Sequence, residues 1–270
     1  MCFENHRVSS IVSRLVLMAA LCVSGTSEAR LLDIRNGLVI DTDLGVIWLQ
    51  DANLFFTESG SGLQPETATN LVNAIIEAVP EVLDGEVVHQ ITSGDFNTGN
   101  GQMSWWGAQA WVGYLNSINY KGFHHWRLPK LRPVNGIALN YDFSCDGTTD
   151  YGKNNTALNS RASELGHVFY NELGNLADLD TSCVARQTGY GVTNSGPFRN
   201  LENSLYWTGT NFEPFFENAW HFHTDNGGQG NDHKAVQFYV WPVSTGLKLH
   251  WPWPPRHCRK CWAPKLHSKH

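Results

Sequence analysis

Three aspartates spaced four residues apart, Asp142, Asp146 and Asp150, precede Asn154 and Asn155 in a stretch with almost no periodic apolar signal. Oxygen donors on an irregular backbone are the ligand type that Ca²⁺ takes. No cofactor is certain from the sequence, and calcium is the one these residues would hold. Asp225 to Asp232 (DNGGQGND) is a second acidic, glycine-rich loop of this kind. Neither follows EF-hand spacing, and such loops also serve as ordinary solvated turns.

Imidazoles offer another chemistry. His221 and His223 lie two apart on an expected strand, which places both rings on one side. His233 would return across the loop to complete a transition-metal site. Two histidines on a solvent face are the plainer reading. Cys258 and Cys261 have finger-like spacing but no second pair beside them. A nucleophile elbow, a P-loop, a dinucleotide fingerprint and a metalloprotease helix are all missing, so the expectation is a protein that is not an enzyme.

Charge narrows the partners. Residues 30–247 carry 11 Lys and Arg against 23 Asp and Glu, a net charge of −12, whereas the six basic residues from Lys248 onward face no acid. An acidic body argues against nucleic acid, whose phosphates are held by Lys and Arg. Hydrophobic residues make up 41% of the chain and charged residues 16%, which suits a sizeable core and excludes a disordered chain or a coiled coil. No segment reaches the roughly 20 apolar residues of a transmembrane helix.

The N-terminus reads as an export signal over residues 1–29. Arg7 and Arg14 supply positive charge, Leu15 to Val23 an apolar stretch, and Ser27-Glu28-Ala29 a small-residue cleavage site. The expected location is secreted, periplasmic or cell-surface. In an oxidising compartment Cys145 and Cys183 are the natural disulfide pair. Residues 30–246 are the expected domain. Residues 247–270, with Trp-Pro-Trp-Pro-Pro and scattered basic residues, read as a disordered basic tail, or a degraded or frameshifted sorting anchor.

The elements that must position these residues follow from pattern. Gly37 to Gln50 reads as a β-hairpin about the turn at Asp41 to Gly45. Helices are expected at Glu66–Val79, from Ser104 through Ile118, and from Ser163 to Gly174. Strands are expected at Leu205–Thr208, Ala219–Thr224 and Ala235–Trp241, with a loop between the last two. Strands first, helices in the middle and strands last imply an α+β domain closed by its two ends.

These segments, in this order, resemble the C-terminal domain family of collagen-like adhesins (the Lcl C-terminal domain), long a domain of unknown function. The likeness rests on the hairpin from Asn36 through Asn53, the helix Trp105 to Asn116, and the box Trp126-Arg127-Leu128-Pro129. It continues through Ser163 to Asn175, Tyr206-Trp207-Thr208-Gly209-Thr210, Asn218-Ala219-Trp220 and Trp241-Pro242-Val243. The family is similar in fold to C-type lectins and formylglycine-generating enzymes. The resemblance therefore implies a C-type-lectin-like mixed sheet with flanking helices and long irregular loops. It also implies an exported, non-catalytic recognition or adhesion module whose partner is a polysaccharide or a surface protein. A matrix component without a small ligand stands second, and a formylglycine-generating-like oxidoreductase third. The lectin sugar triplets are broken here: Glu213-Pro214 is followed by Phe215, and Asn231-Asp232 is preceded by Gly230. In the box, Trp126 is expected to be core, and Arg127 to use its fork on a carboxylate or backbone acceptor.

Overall fold

A computed structural model describes residues 31–153 and 161–246. The expectations for segments 1–29 and 247–270, for Asn154 and Asn155, and for the Cys258–Cys261 pair lie outside the described residues.

The opening hairpin forms where β-branched runs flank a turn. Strand β1 (Leu31–Asp33) pairs with β2 (Leu38–Asp41), and β2 pairs with β3 (Val46–Leu49), all antiparallel. The Asp41 carboxylate accepts the amides of Asp43 and Leu44 at 3.0 and 2.8 Å, and Gly45 supplies the positive φ that closes the turn. Helix α1 (Leu54–Glu58) follows. Helix α2 (Pro65–Ala78) starts with proline at its first turn and buries Ala68, Val72 and Ile75. A small hairpin, β4 (Glu81–Asp84) with β5 (Val87–Gln90), was not legible in the pattern. Helix α3 (Trp105–Ser117) is capped by Ser104, whose Oγ accepts the Gly107 amide at 3.0 Å. It sends Trp105, Ala108, Trp111, Val112 and Leu115 into the core.

The first sheet runs β1-β2-β3-β12-β6, where β6 is Trp126–Arg127 and β12 is Val243–Ser244. Val243 pairs with Trp48 on one side and with Arg127 on the other. The C-terminal end of the domain is thus stitched between the opening hairpin and the Trp-Arg-Leu-Pro box, as the α+β reading requires. The second sheet runs β7-β8-β11-β10-β9, with β7 Phe143–Ser144, β8 Tyr151–Lys153, β9 Leu205–Asn211, β10 Asn218–His223 and β11 Gly228–His233.

Two expectations are corrected. The helix from Ser163 is only a short α4 (Glu164–Gly166), capped by Ser163, before it widens into a π-helical stretch at His167–Glu172. Leu173 N donates to Val168 O at 2.9 Å, the five-residue spacing of that wider turn. The strand expected at Ala235–Trp241 does not form. That apolar run makes isolated bridges, from Phe238 to Met103 and from Tyr239 to Tyr206, in place of a ladder. The ladder position goes instead to Gly228–His233, read from composition as loop. Its glycines and polar residues pair on both edges, with β10 and β8, so backbone bonds outweigh poor strand propensity.

Aromatic side chains dominate the core. Trp48 and Phe198 each lie 4.6 Å from Trp241, centroid to centroid. Of the eight tryptophans in the domain, Trp106 alone is not buried, and it stacks on His89 at 4.1 Å. In the box, Trp126 is buried with Nε1 donating to Tyr120 O, Leu128 is buried, and the Pro129 carbonyl accepts the Gly209 amide at 2.8 Å. Arg127 grips Glu164 with both terminal nitrogens, at 2.7 and 2.8 Å. Tyr206 and Trp207 are fully buried, with the Tyr206 hydroxyl accepting Glu202 N and Trp207 Nε1 donating to Met103 O.

Candidate functional site

The two acidic loops meet. Gly228 pairs with Lys153 and Gln229 with Gly152, which sets the segment before β8 beside the one before β11. Cys145 and Cys183 form a disulfide with Cα atoms 5.4 Å apart, tying the same region to the 176–191 loop. Asp178, from that loop, reaches Lys153 Nζ at 2.9 Å.

The three aspartates proposed as calcium ligands do not come together as a ligand group among the described residues. Asp150 is buried and spends its two oxygens on the amides of Val134 and Asn140, at 2.9 and 2.7 Å. Burial pushes its carboxyl upward, and those two amides pull the other way. Asp146 folds back onto the hydroxyl and amide of Thr148, which lowers its pKa, and Asp142 is exposed. Local backbone amides satisfy the first two carboxylates where they stand.

What the convergence builds is a cleft of about 230 Å³ over β8, β10 and β11, lined by Phe143, Tyr151, Lys153, His221, His223 and Asn226, with the β11 backbone as its floor. Glycines make the room. Gly230 pairs with His221, and a Cβ there would stand 3.0 Å from the imidazole. A Cβ on Gly228 would meet Asn226 Oδ1 at 2.8 Å and Lys153 Nζ at 3.2 Å. The G-x-G spacing opposite an H-x-H strand was the signal available in the sequence. Asn226 and Gln229 stood in the acidic loop read from composition, whereas Phe143 and Lys153 carried no signal, because the pairing of β8 with β11 alone brings them in.

His221 and His223 do share a face, with ring centroids 4.7 Å apart. His233 does not join them. It pairs with Asn218 at the far end of the ladder, and its Nδ1 accepts the Ala235 amide at 3.1 Å. His221 is only 2% exposed, yet neither ring nitrogen has a hydrogen bond within the protein. Its Nε2 lies at ion-pair distance, 3.3 Å, from Asp232 Oδ2. Burial lowers its pKa, against the pull of Asp232. Asp232 is lowered by His221, and Asp225 by His223 at 3.4 Å. Gln229 donates to Asp150 O at 2.9 Å while its Oε1 has no partner. Buried polar atoms are normally paired, so this concentration of unpaired donors and acceptors beside a cleft makes it the candidate binding site.

Phe143 forms the outer wall. It is 56% exposed and lies 6.2 Å from the Tyr151 ring, edge to face. Lys153 is neutralised by Asp178 and also donates to Asn226 Oδ1 at 2.8 Å. The carboxylates of Asp178, Asp225 and Asp232 outnumber the one lysine. None of the described helices is long and apolar enough to cross a membrane.

Neither the curated proteins nor the solved structures contain a significant match to this chain. The family model of the Lcl C-terminal domain matches residues 37–244, spanning both sheets, the box and the cleft. The chain belongs to the Lcl C-terminal domain family.

Proposed function

We propose that this protein is an exported, non-catalytic recognition module that binds a polysaccharide or a glycosylated surface partner through the β8–β10–β11 cleft. The observation that carries the reading is the pairing of an exposed aromatic wall, Phe143, with buried polar atoms that lack a hydrogen bond, His221 Nδ1 and Gln229 Oε1. A sugar ring offers an apolar face to the first and hydroxyls to the second. The cleft is small beside the roughly 300–1,000 Å³ of drug-sized sites, so it takes one ring or a chain end. Excess carboxylate favours an uncharged or amine-bearing sugar over a sulfated one. The disulfide fits an oxidising, extracytoplasmic setting. The C-type-lectin-like character rests on the family resemblance, and the recognition proposed here does not need calcium between protein and sugar.

A glycan array probed with and without chelator tests this. Binding to uncharged or amine-bearing glycans is expected, unchanged by chelator and abolished by Gly230→Ser, which fills the cleft, with Tm lowered by no more than a few degrees. Binding that survives Gly230→Ser would place the ligand elsewhere. A blank array would favour a matrix component without a specific ligand.

A further inference from the structure

On the other side of the fold, the π-helical stretch has an effect the cleft does not use. Residues five apart on an α-helix point about 140° away from each other. In the π stretch His167 and Glu172 instead converge, with Nε2 and Oε1 3.2 Å apart. The β2–β3 turn brings Asp41 to the same point. Donor atoms of Asp41, His167 and Glu172 all lie within 4.8 Å of one another. All three side chains are buried, and the His167 side chain is only 1% exposed. Asp43, at the rim, places Oδ2 3.4 Å from the same Nε2, and Arg161 donates to both of its carboxylate oxygens.

We propose that Asp41, His167 and Glu172 form a site for one first-row divalent metal ion, zinc foremost, which staples the opening hairpin to the π-helical stretch. Ligands about 2.0–2.2 Å from a tetrahedral zinc ion stand roughly 3.3–3.6 Å from one another. The His167–Glu172 pair is already near that spacing, and Asp43 offers a fourth donor at a similar distance from the imidazole. One imidazole with carboxylates suits zinc or manganese, whereas calcium asks for 6–8 oxygens, more than this cluster provides. Asp41 remains able to bind, because carboxylate oxygens accept several partners and its Oδ2 has only a long contact to Trp48 Nε1, at 3.4 Å.

The test uses the full exported chain, stripped with chelator and titrated with zinc chloride and, separately, manganese chloride at pH 7.5. Elemental analysis and thermal unfolding are the readouts. The expected result is one ion retained per chain and a Tm raised by about 5 °C or more at saturation. Glu172→Gln, close in shape, should remove the shift. His221→Ala with His223→Ala, and Cys258→Ser with Cys261→Ser, should keep it. The proposal is overturned if no ion is retained and Tm does not move up to millimolar metal. It is equally overturned if the shift survives Glu172→Gln and is lost in either double variant. Should Glu172→Gln fail to fold, zinc-edge X-ray absorption of the wild type decides: one imidazole with oxygen ligands supports the site, and sulfur or two imidazoles overturns it. Because this readout is independent of glycan binding, it stands or falls apart from the cleft.

Discussion

The Trp-Arg-Leu-Pro box and the β8–β10–β11 cleft both combine large aromatics with charged or titratable side chains, and they resolve the combination in opposite ways. In the box, the charged partners close on each other. Arg127 meets Glu164 through two parallel bonds, and Glu164 Oε2 also accepts the Lys130 amide at 2.7 Å. In the cleft, His221 is as buried as the tryptophans around it and yet has no hydrogen bond, and Gln229 leaves its carbonyl oxygen unpaired. A charge or polar group sealed inside a protein costs several kcal/mol unless paired. The box has met most of that cost internally, with Arg127 Nε alone of its charged groups' atoms left without a hydrogen bond, so its residues hold the fold. The cleft leaves it unmet on buried atoms of two residues that line it.

The sharpest way to break this contrast is to remove the core side chain of the box. Trp126→Ala is expected to destabilise the domain by about 3–5 kcal/mol, the cost of a large buried aromatic. The measurement is a denaturant midpoint at unchanged m-value, and a shift below about 1 kcal/mol would show that the box is not core.

Breaking the ion pair comes next. Arg127→Ala strands the Glu164 carboxylate and should cost about 3 kcal/mol. The double variant Arg127→Met, Glu164→Leu should recover much of that. Equal losses in the single and double variants would mean that the pair contributes packing rather than charge compensation.

The smallest effect separates the cleft from the box by pH. The folded-state pKa of His221 lies below its unfolded value. The unfolded chain therefore takes up the proton first, and stability is lost as pH falls below the unfolded value of about 6.5. Wild type should lose about 1 kcal/mol more than His221→Phe between pH 7 and pH 5.5 in paired urea titrations. Parallel pH curves for the two proteins would show that His221 is not held neutral by its surroundings.

Much of the frame was legible because short-range rules govern it. The hairpin at Gly37–Gln50, helices at Pro65–Ala78 and Trp105–Ser117, and the caps at Ser104 and Ser163 follow from apolar period and turn chemistry. The fork of Arg127 was expected to find an acceptor, although Glu164 as its partner, 37 residues on, was not. The aspartates at 142, 146 and 150 read as one ligand set, yet composition does not say whether a carboxylate will be claimed by a neighbouring amide, as those of Asp146 and Asp150 are. Strand β11 was missed for a related reason: Gly-Gln-Gly-Asn-Asp-His has no apolar alternation, and only strands on both sides make it a strand.

By itself, then, the sequence determined the α+β class, the family and the Cys145–Cys183 pairing, since these rest on local periodicity, motif order and cysteine number. The tertiary structure decided which polar residues are sealed and which are left open. It placed His221 and Gln229 at a cleft, folded Asp146 and Asp150 back on their own loop, and used a π turn to carry His167 and Glu172 to Asp41. The reason is physical. Whether a polar group is satisfied depends on atoms brought from distant parts of the chain, and no window along the sequence contains them.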